Sequence, residues 1–325
     1  MDMATQHAPD LGGNAFIGSP SRFPEYLSSL ERNGFLCVPD FASADDVQFI
    51  NATLQKLLRD GTGFKEGARR DLVDPNDSLG SDSLTELVLP HNYAPELHQT
   101  RYFADALRLA RAILGPEAEF AFDHAILKPA LHGAQTPWHQ DEAYQSGPEQ
   151  GRRQIAVWMA TSAATLENGC MRYVAGSHLG EVLTHRPYQG DERVHGLECI
   201  DAFNPDDVNY CPVEAGGIVI HSGRTLHGAG PNQTTSARLA YIVVFAAPGA
   251  VEHVPREFSW LQRPAEAASQ RRRQWLIRGG VLIEVARKVR RSRQRATSGF
   301  AQQLQQALMR RIRGRLGGRG ASKSK

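Results

Sequence analysis

Apolar residues change their spacing partway along the chain, and the change separates a helical opening from a β-rich body. Val47, Ile50, Leu54, Leu57 and Leu58 fall on one stripe at helical spacing. Ser43, followed by Asp45 and Asp46, supplies a cap for the start of that helix. Residues 24–33 predict a shorter helix stopped by Gly34, after which Phe35-Leu36-Cys37-Val38 reads as a strand. A third helix is expected over 102–114, ending at Gly115-Pro116. Beyond it strand patterns dominate, over 120–128, 155–160, 171–174, 217–221 and 239–245. Long antiparallel strands without intervening helices predict a double-stranded β-helix, a cupin-like jelly roll that holds a ligand between its sheets. The expected fold class is therefore mainly β with flanking helices, and no internal repeat is evident.

A β domain of about 250 residues is an ordinary size. The expected organisation is an N-terminal extension over 1–19, one jelly-roll domain over 20–250 and a C-terminal tail over 251–325. Charge supports the last boundary. The tail holds 19 of the 37 Lys and Arg but 4 of the 35 Asp and Glu, a net +15 that leaves −13 for the remainder. Two apolar stripes run through it beside arginines: Trp275, Leu282, Val285 and Val289, then Phe300, Leu304, Leu308, Ile312 and Leu316. Basic amphipathic helices of this kind lie on anionic membranes or dock to protein partners, and a solvated appendage is the plainer alternative. Charge alone attracts nucleic acid, yet no sequence-reading motif is present, so no sequence-specific nucleic acid is expected. The cysteines, Cys37, Cys170, Cys199 and Cys211, lack C-x-x-C spacing and read as reduced thiols. No secretion signal is visible at the N-terminus, and the apolar run from Ala240 to Ala247 is too short to span a bilayer. The expected location is cytoplasmic, with the tail offering peripheral membrane attachment.

Candidate chemistry gathers in two segments. Thr136-Pro137-Trp138-His139-Gln140-Asp141-Glu142 places His139 and Asp141 on the same face of an extended strand. Thr225-Leu226-His227-Gly228-Ala229-Gly230-Pro231-Asn232 brings a second imidazole. His139, Asp141 and His227 would make a 2-His-1-carboxylate facial triad, which holds one face of an octahedral ion and suits Fe(II). His221, six residues before His227, competes for the third position. His132, His185 and His195 read as solvated loop residues, and His178 as structural or part of a pocket wall.

Between these segments lies Glu167-Asn168-Gly169-Cys170-Met171-Arg172-Tyr173-Val174-Ala175-Gly176-Ser177-His178, and Arg238 follows His227 by eleven residues. In order and spacing the pieces resemble the phytanoyl-CoA dioxygenase family of Fe(II)/2-oxoglutarate oxygenases, over residues 20 to 248. The resemblance implies His227 rather than His221 as the ligand. It also implies 2-oxoglutarate and O2 as cosubstrates, with succinate and CO2 as products. Arg238 is then the partner of the far 2-oxoglutarate carboxylate, on a strand expected to form a hairpin with that of His227. Gln140, Trp158, His124 and Ala229 fall where the family lines the cosubstrate pocket. His124 and Ala229 depart from the usual residue types, Ala229 replacing a Ser. Trp158 also reads as an ordinary core aromatic.

Asp141 argues for hydroxylation, because halogenating relatives by mechanism need a small residue there. Glu142, Tyr144, Gln145, Arg152 and Arg153 are candidate substrate contacts, and a small molecule or lipid-like substrate is expected. A zinc hydrolase could use the same triad, though it would have no use for Arg238. A non-catalytic binding jelly roll is the third reading, and the intact ligand set argues against it.

Overall fold

The computed structural model of the protein describes residues 23–75, 83–131, 133–144 and 154–248. The expected N-terminal extension and basic tail lie outside the described residues, as do His132, Gln145, Arg152 and Arg153.

Three helices precede or interrupt the early strands: α1 (Phe23–Asn33), α2 (Ala44–Arg59) and α3 (Arg101–Leu114). Gly34, at φ +84°, ends α1, and a Cβ there would meet the His178 ring and the Thr225 hydroxyl, so the turn demands glycine. The Ser43 hydroxyl accepts from the Asp46 N–H as the α2 cap, and the Thr100 hydroxyl caps α3 through the Phe103 N–H.

Thirteen strands appear among the described residues. The first four are β1 (Phe35–Val38), β2 (Arg69–Asp71), β3 (Thr85–Val88) and β4 (Glu119–Lys128). Next come β5 (Thr136–His139), β6 (Gln154–Ala160), β7 (Met171–Val174), β8 (His185–Pro187) and β9 (Leu197–Cys199). The last are β10 (Val208–Cys211), β11 (Ile218–Ser222), β12 (His227–Ala229) and β13 (Arg238–Ala246). A seven-stranded major sheet has the order β1-β11-β6-β13-β4-β3-β2, and a four-stranded minor sheet the order β10-β7-β12-β5. β8 and β9 form a separate pair. All ladders are antiparallel, as expected for a jelly roll.

The alternation of side chains along the central strands assigns each face. Val157 and Met159 of β6, with Tyr241, Val243 and Phe245 of β13, join the helices in one core cluster. Ala156, Trp158 and Ala160, with Ala240, Ile242 and Val244, point the other way, into a cluster shared with Met171, Tyr173 and Ala229 of the minor sheet. Burial on both faces explains why these strands read as unbroken apolar runs. The inward face carries several alanines, which keeps the interior between the sheets open to a ligand. All four cysteines are free thiols. Among the described residues no helix is long and apolar enough to cross a membrane.

The expected hairpin between His227 and Arg238 is not formed. His227 lies in β12 of the minor sheet and Arg238 opens β13 of the major sheet. The connection crosses from one sheet to the other and is clasped by buried Asn232. Its amide nitrogen donates to the carbonyls of Lys128, Pro129 and Ser236 at 3.2, 3.1 and 2.8 Å, while its oxygen accepts from Thr234 N–H at 3.0 Å. Turn-forming residues identify a reversal of the chain; they do not say which sheet receives the next strand.

Candidate active site

His227 is paired directly opposite His139 in the β12–β5 ladder, so both rings enter the interior side by side. Their centroids are 4.3 Å apart and their planes inclined by 49°. In each case Nδ1–H donates at 2.8 Å to the carbonyl two residues earlier, Pro137 for His139 and Thr225 for His227. Those contacts leave both Nε2 lone pairs directed inward. The strand ends at His139, whereas a longer extended segment is expected. Asp141 begins a short 3-10 turn, Asp141–Tyr144, which still swings its carboxylate onto the two imidazoles. Asp141 Oδ1 lies 3.5 Å from His139 Nε2 and 3.7 Å from His227 Nε2. The three donor atoms lie within 4.8 Å of one another, a separation one ion can span.

Electrostatics suit a cation. Burial raises the Asp141 carboxyl, but the surrounding imidazoles of His227, His139 and His221 outweigh it and hold the group well below the usual carboxylate range. Burial, reinforced by His139 and His221, keeps His227 neutral at neutral pH. The site therefore offers one anionic oxygen and a neutral His227 imidazole.

A second group, His91, His98 and Asp123, also has donors within that distance. Its imidazoles are likewise 4.3 Å apart but stacked at 18°, so their in-plane lone pairs run in parallel and do not meet at one point. Asp123 instead accepts from Tyr241 Oη at 2.6 Å and contacts the two rings at 2.6 and 3.3 Å, as a buried carboxylate held by hydrogen bonds.

Facing the triad from the major sheet is Arg238. It is 1 % exposed, its guanidinium lies 5.1 Å from the Trp158 ring centroid, and its buried Nε and Nη1 have no partner. Burial pulls its pKa down to about 10, so it remains charged at neutral pH. Lys128, also buried, is its direct cross-strand neighbour. A buried charged guanidinium beside a second basic group fits an anionic occupant.

Of the other expected pocket residues, Trp158 and Ala229 face this interior. His124 shares the inward face of β4 with Lys128, and its Nδ1 is 2.7 Å from Glu86 Oε1. Gln140 departs from expectation. Its Nε2 donates to the carbonyls of Arg224 at 2.7 Å and Glu181 at 3.4 Å, and its Oε1 accepts from Leu183 N–H at 2.7 Å, so the amide ties loops together. Its backbone N–H donates to His185 Nε2 at 3.1 Å, which makes His185 a structural partner in β8 rather than a solvated loop residue. His178 Nε2 contacts the Glu31 carbonyl at 3.0 Å, a structural role. Glu142 pairs with Arg224 at 2.9 Å, and Tyr144 Oη accepts from Leu197 N–H at 2.8 Å. Gly169, at φ +84°, passes so close to Gly230 O that a Cβ would lie 2.2 Å away, which ties the Asn-Gly-Cys segment to the loop after His227.

Two imidazoles and a carboxylate converging inside a jelly roll, opposite an unpaired arginine, are the arrangement of iron- and 2-oxoglutarate-dependent dioxygenases. The Phytanoyl-CoA dioxygenase (PhyH) family model matches residues 30–240, and the chain belongs to that family. It is accordingly an Fe(II)/2-oxoglutarate-dependent dioxygenase, with O2 as the other cosubstrate.

The chain is similar to a probable alpha-ketoglutarate-dependent hypophosphite dioxygenase of Stutzerimonas stutzeri, 24% identical over 70% of this chain and 78% of that one. It is 26% identical to the peroxisomal phytanoyl-CoA dioxygenase of Mus musculus over 65% of this chain and 64% of that one. Among solved structures, EvdO2 from Micromonospora carbonacea var. aurantiaca complexed with 2-oxoglutarate is 33% identical, with a TM-score of 0.59 over 73% of this chain and 95% of that chain.

Glu86 yields a prediction of pH dependence. Burial raises its carboxyl, but Arg70 and His124, through charge and hydrogen bonds, outweigh burial and hold it far below the usual range. A depressed folded-state value contributes stability that is complete above the unfolded pKa of about 4.3 and is lost as pH falls below it. Glu86→Gln is expected to cost about 1.5–3 kcal/mol at pH 7. The gap from wild type should narrow steadily below about pH 4, and urea titrations at the two pH values check it.

Proposed function

We propose that this chain hydroxylates a small molecule, with His139, Asp141 and His227 holding Fe(II) and Arg238 receiving the far carboxylate of 2-oxoglutarate. The observation that carries the reading is the opposition of two complements across the sandwich. Two imidazoles on the minor sheet and the carboxylate of the turn after β5 make three convergent metal donors, and the major sheet carries a buried guanidinium with unpaired N–H groups.

When bound, iron and 2-oxoglutarate would supply the chemistry, with O2 as the oxidant: decarboxylation of 2-oxoglutarate to succinate and CO2 would take up one of its oxygen atoms and leave the other for the substrate. The chain's own part is geometric and electrostatic. The carbonyls of Pro137 and Thr225 orient the imidazoles, and Asp141 contributes the negative charge. Arg238 offers a charge-assisted contact, with its guanidinium set over the Trp158 ring. Trp158, Ala229 and His124 form walls of the cosubstrate pocket in this reading. Ala229 has no hydroxyl to offer a carboxylate, which leaves more of that contact to Arg238. The presence of Asp141 favours hydroxylation over halogenation.

The substrate is proposed to be a small molecule or a lipid-like one, entering beside Glu142 and Tyr144. The relatives differ widely in the substrates their names carry, from hypophosphite to phytanoyl-CoA and ectoine. Within the cytoplasm, the basic tail is proposed to hold the enzyme at an anionic membrane surface, on the strength of its two apolar stripes and +15 charge.

Anaerobic titration with Fe(II) and 2-oxoglutarate should produce the weak visible charge-transfer band of this class. Succinate formation should require Fe(II) and be abolished by His139→Ala, Asp141→Ala or His227→Ala while the fold persists by circular dichroism. Full turnover by His227→Ala would remove that residue from the ligand set.

Arg238→Ala should raise the 2-oxoglutarate requirement roughly tenfold to a hundredfold, the loss of a charge-assisted contact of about 1.5–3 kcal/mol. Iron affinity should change little, and a titration of the band against cosubstrate concentration measures both.

Anionic vesicles should bind the full chain in a salt-sensitive manner, and a chain ending near Arg263 should no longer float with them. Equal flotation of the two would assign the tail another role.

A further inference from the structure

The two oxygens of Asp141 face different neighbours, and the division points to a support behind the metal ligands. Oδ1 is the atom turned toward His139 Nε2 and His227 Nε2. Oδ2 lies instead 3.3 Å from His221 Nε2. His221 is buried on the inward face of β11, in the opposite sheet, and its Nδ1 lies 3.1 Å from Tyr173 Oη. Tyr173 in turn stands next to His227 in the β7–β12 ladder. It is fully buried and stacked on Phe35 at 4.7 Å and 11°, so its hydroxyl is held in place.

With a neutral imidazole at His221, one arrangement of protons satisfies this chain. A carboxylate accepts and does not donate, so His221 must present Nε2–H to Oδ2. Nδ1 is then the acceptor, and the Tyr173 hydroxyl donates to it. His221 is outside the set of donors that lie within 4.8 Å of one another, and its ring packs against that of His227 at 4.4 Å. With Nε2 directed at Asp141, His221 has no lone pair to give an ion.

We propose that Tyr173 and His221 are positioning residues: a hydrogen-bonded strut that occupies Asp141 Oδ2, leaves Oδ1 as the single coordinating oxygen and so keeps the third ligand monodentate. This rests on the assignment of His139, Asp141 and His227 as the iron ligands. A free second oxygen could swing onto the ion and occupy a position that a cosubstrate needs. The strut prevents that by giving the oxygen a better-placed partner from the facing sheet. Groups behind metal ligands act in this way, and their removal typically costs tenfold to a hundredfold in affinity.

The test measures the Fe(II) dissociation constant anaerobically and records the 2-oxoglutarate charge-transfer band, with thermal unfolding of the metal-free proteins as a check on folding. The proteins are wild type, His139→Ala, His221→Leu, His221→Gln and Tyr173→Phe. His221→Leu is expected to weaken iron roughly tenfold to a hundredfold and to shift the band. His221→Gln, whose amide nitrogen reaches near the imidazole Nε2 position and donates as it does, should recover most of the affinity and the wild-type band. Tyr173→Phe, nearly isosteric and able to fold even where the leucine variant does not, should weaken iron severalfold by freeing the His221 tautomer.

Wild-type affinity and an unshifted band in both His221→Leu and Tyr173→Phe would overturn the strut. Equal loss in His221→Gln and His221→Leu would do so as well, because it would make His221 a ligand or a volume filler. Iron binding by wild type but not His139→Ala upholds the ligand assignment whatever the strut variants do. A wild-type protein without iron binding overturns both.

Discussion

The register between β5 and β12 is the constraint from which the site is built. Placing His227 directly opposite His139 brings two rings to the same depth, and each then leans on the carbonyl two residues behind it. The relation is local in sequence and identical on both strands. It settles which ring nitrogen carries the proton before any ion is considered. The bulge between His227 and Ala229, and Gly228 packed against the Thr136 carbonyl, allow the strand to take this register and then turn toward the opposite sheet.

A second theme is the uneven distribution of charge in an otherwise apolar interior. The minor sheet brings an anionic carboxylate, and the major sheet brings Arg238 with Lys128 opposite it. Neither set is neutralised where it stands. Buried charge of this kind lowers the stability of a fold, and it persists where function uses it. Burial and the neighbouring arginines push the Lys128 ammonium well below its ordinary value, which measures how strongly that corner disfavours further positive charge. An anion arriving there relieves what the fold alone does not.

Much of this was legible in the chain. The strands β4, β6, β7, β11 and β13 and the helices α1 to α3 follow from apolar spacing, because their apolar residues pack into the core and the period survives in the sequence. The pairing of His139 with Asp141 was legible from alternation along an extended segment, and the choice of His227 over His221 came from the family resemblance. The strands β2 and β3 were not, since the largely buried ion pair of Arg70 and Glu86 stands where a period of apolar residues would be sought. Gln140 was misread because alternation along a strand, which would have turned it away from the metal donors, was outweighed by its neighbours' motif. Tyr173 and His221 are joined only through space, 48 residues apart, and no spacing rule links them. The crossing from β12 to β13 was hidden for the same reason: a turn-rich segment looks alike whether it closes a hairpin or bridges two sheets.

That crossing has a further consequence. Because His139 and His227 belong to one sheet and Arg238 to the other, the span available to a molecule gripped at both ends in the proposed binding mode is set by the spacing of the sandwich itself. Side chains such as Met171, Ile242 and Val244, packed between the sheets, thereby act as the spacers of a gauge. In the proposed reading a flexible dicarboxylate is selected by length as much as by charge, and the dimension that does the selecting is maintained by hydrophobic packing.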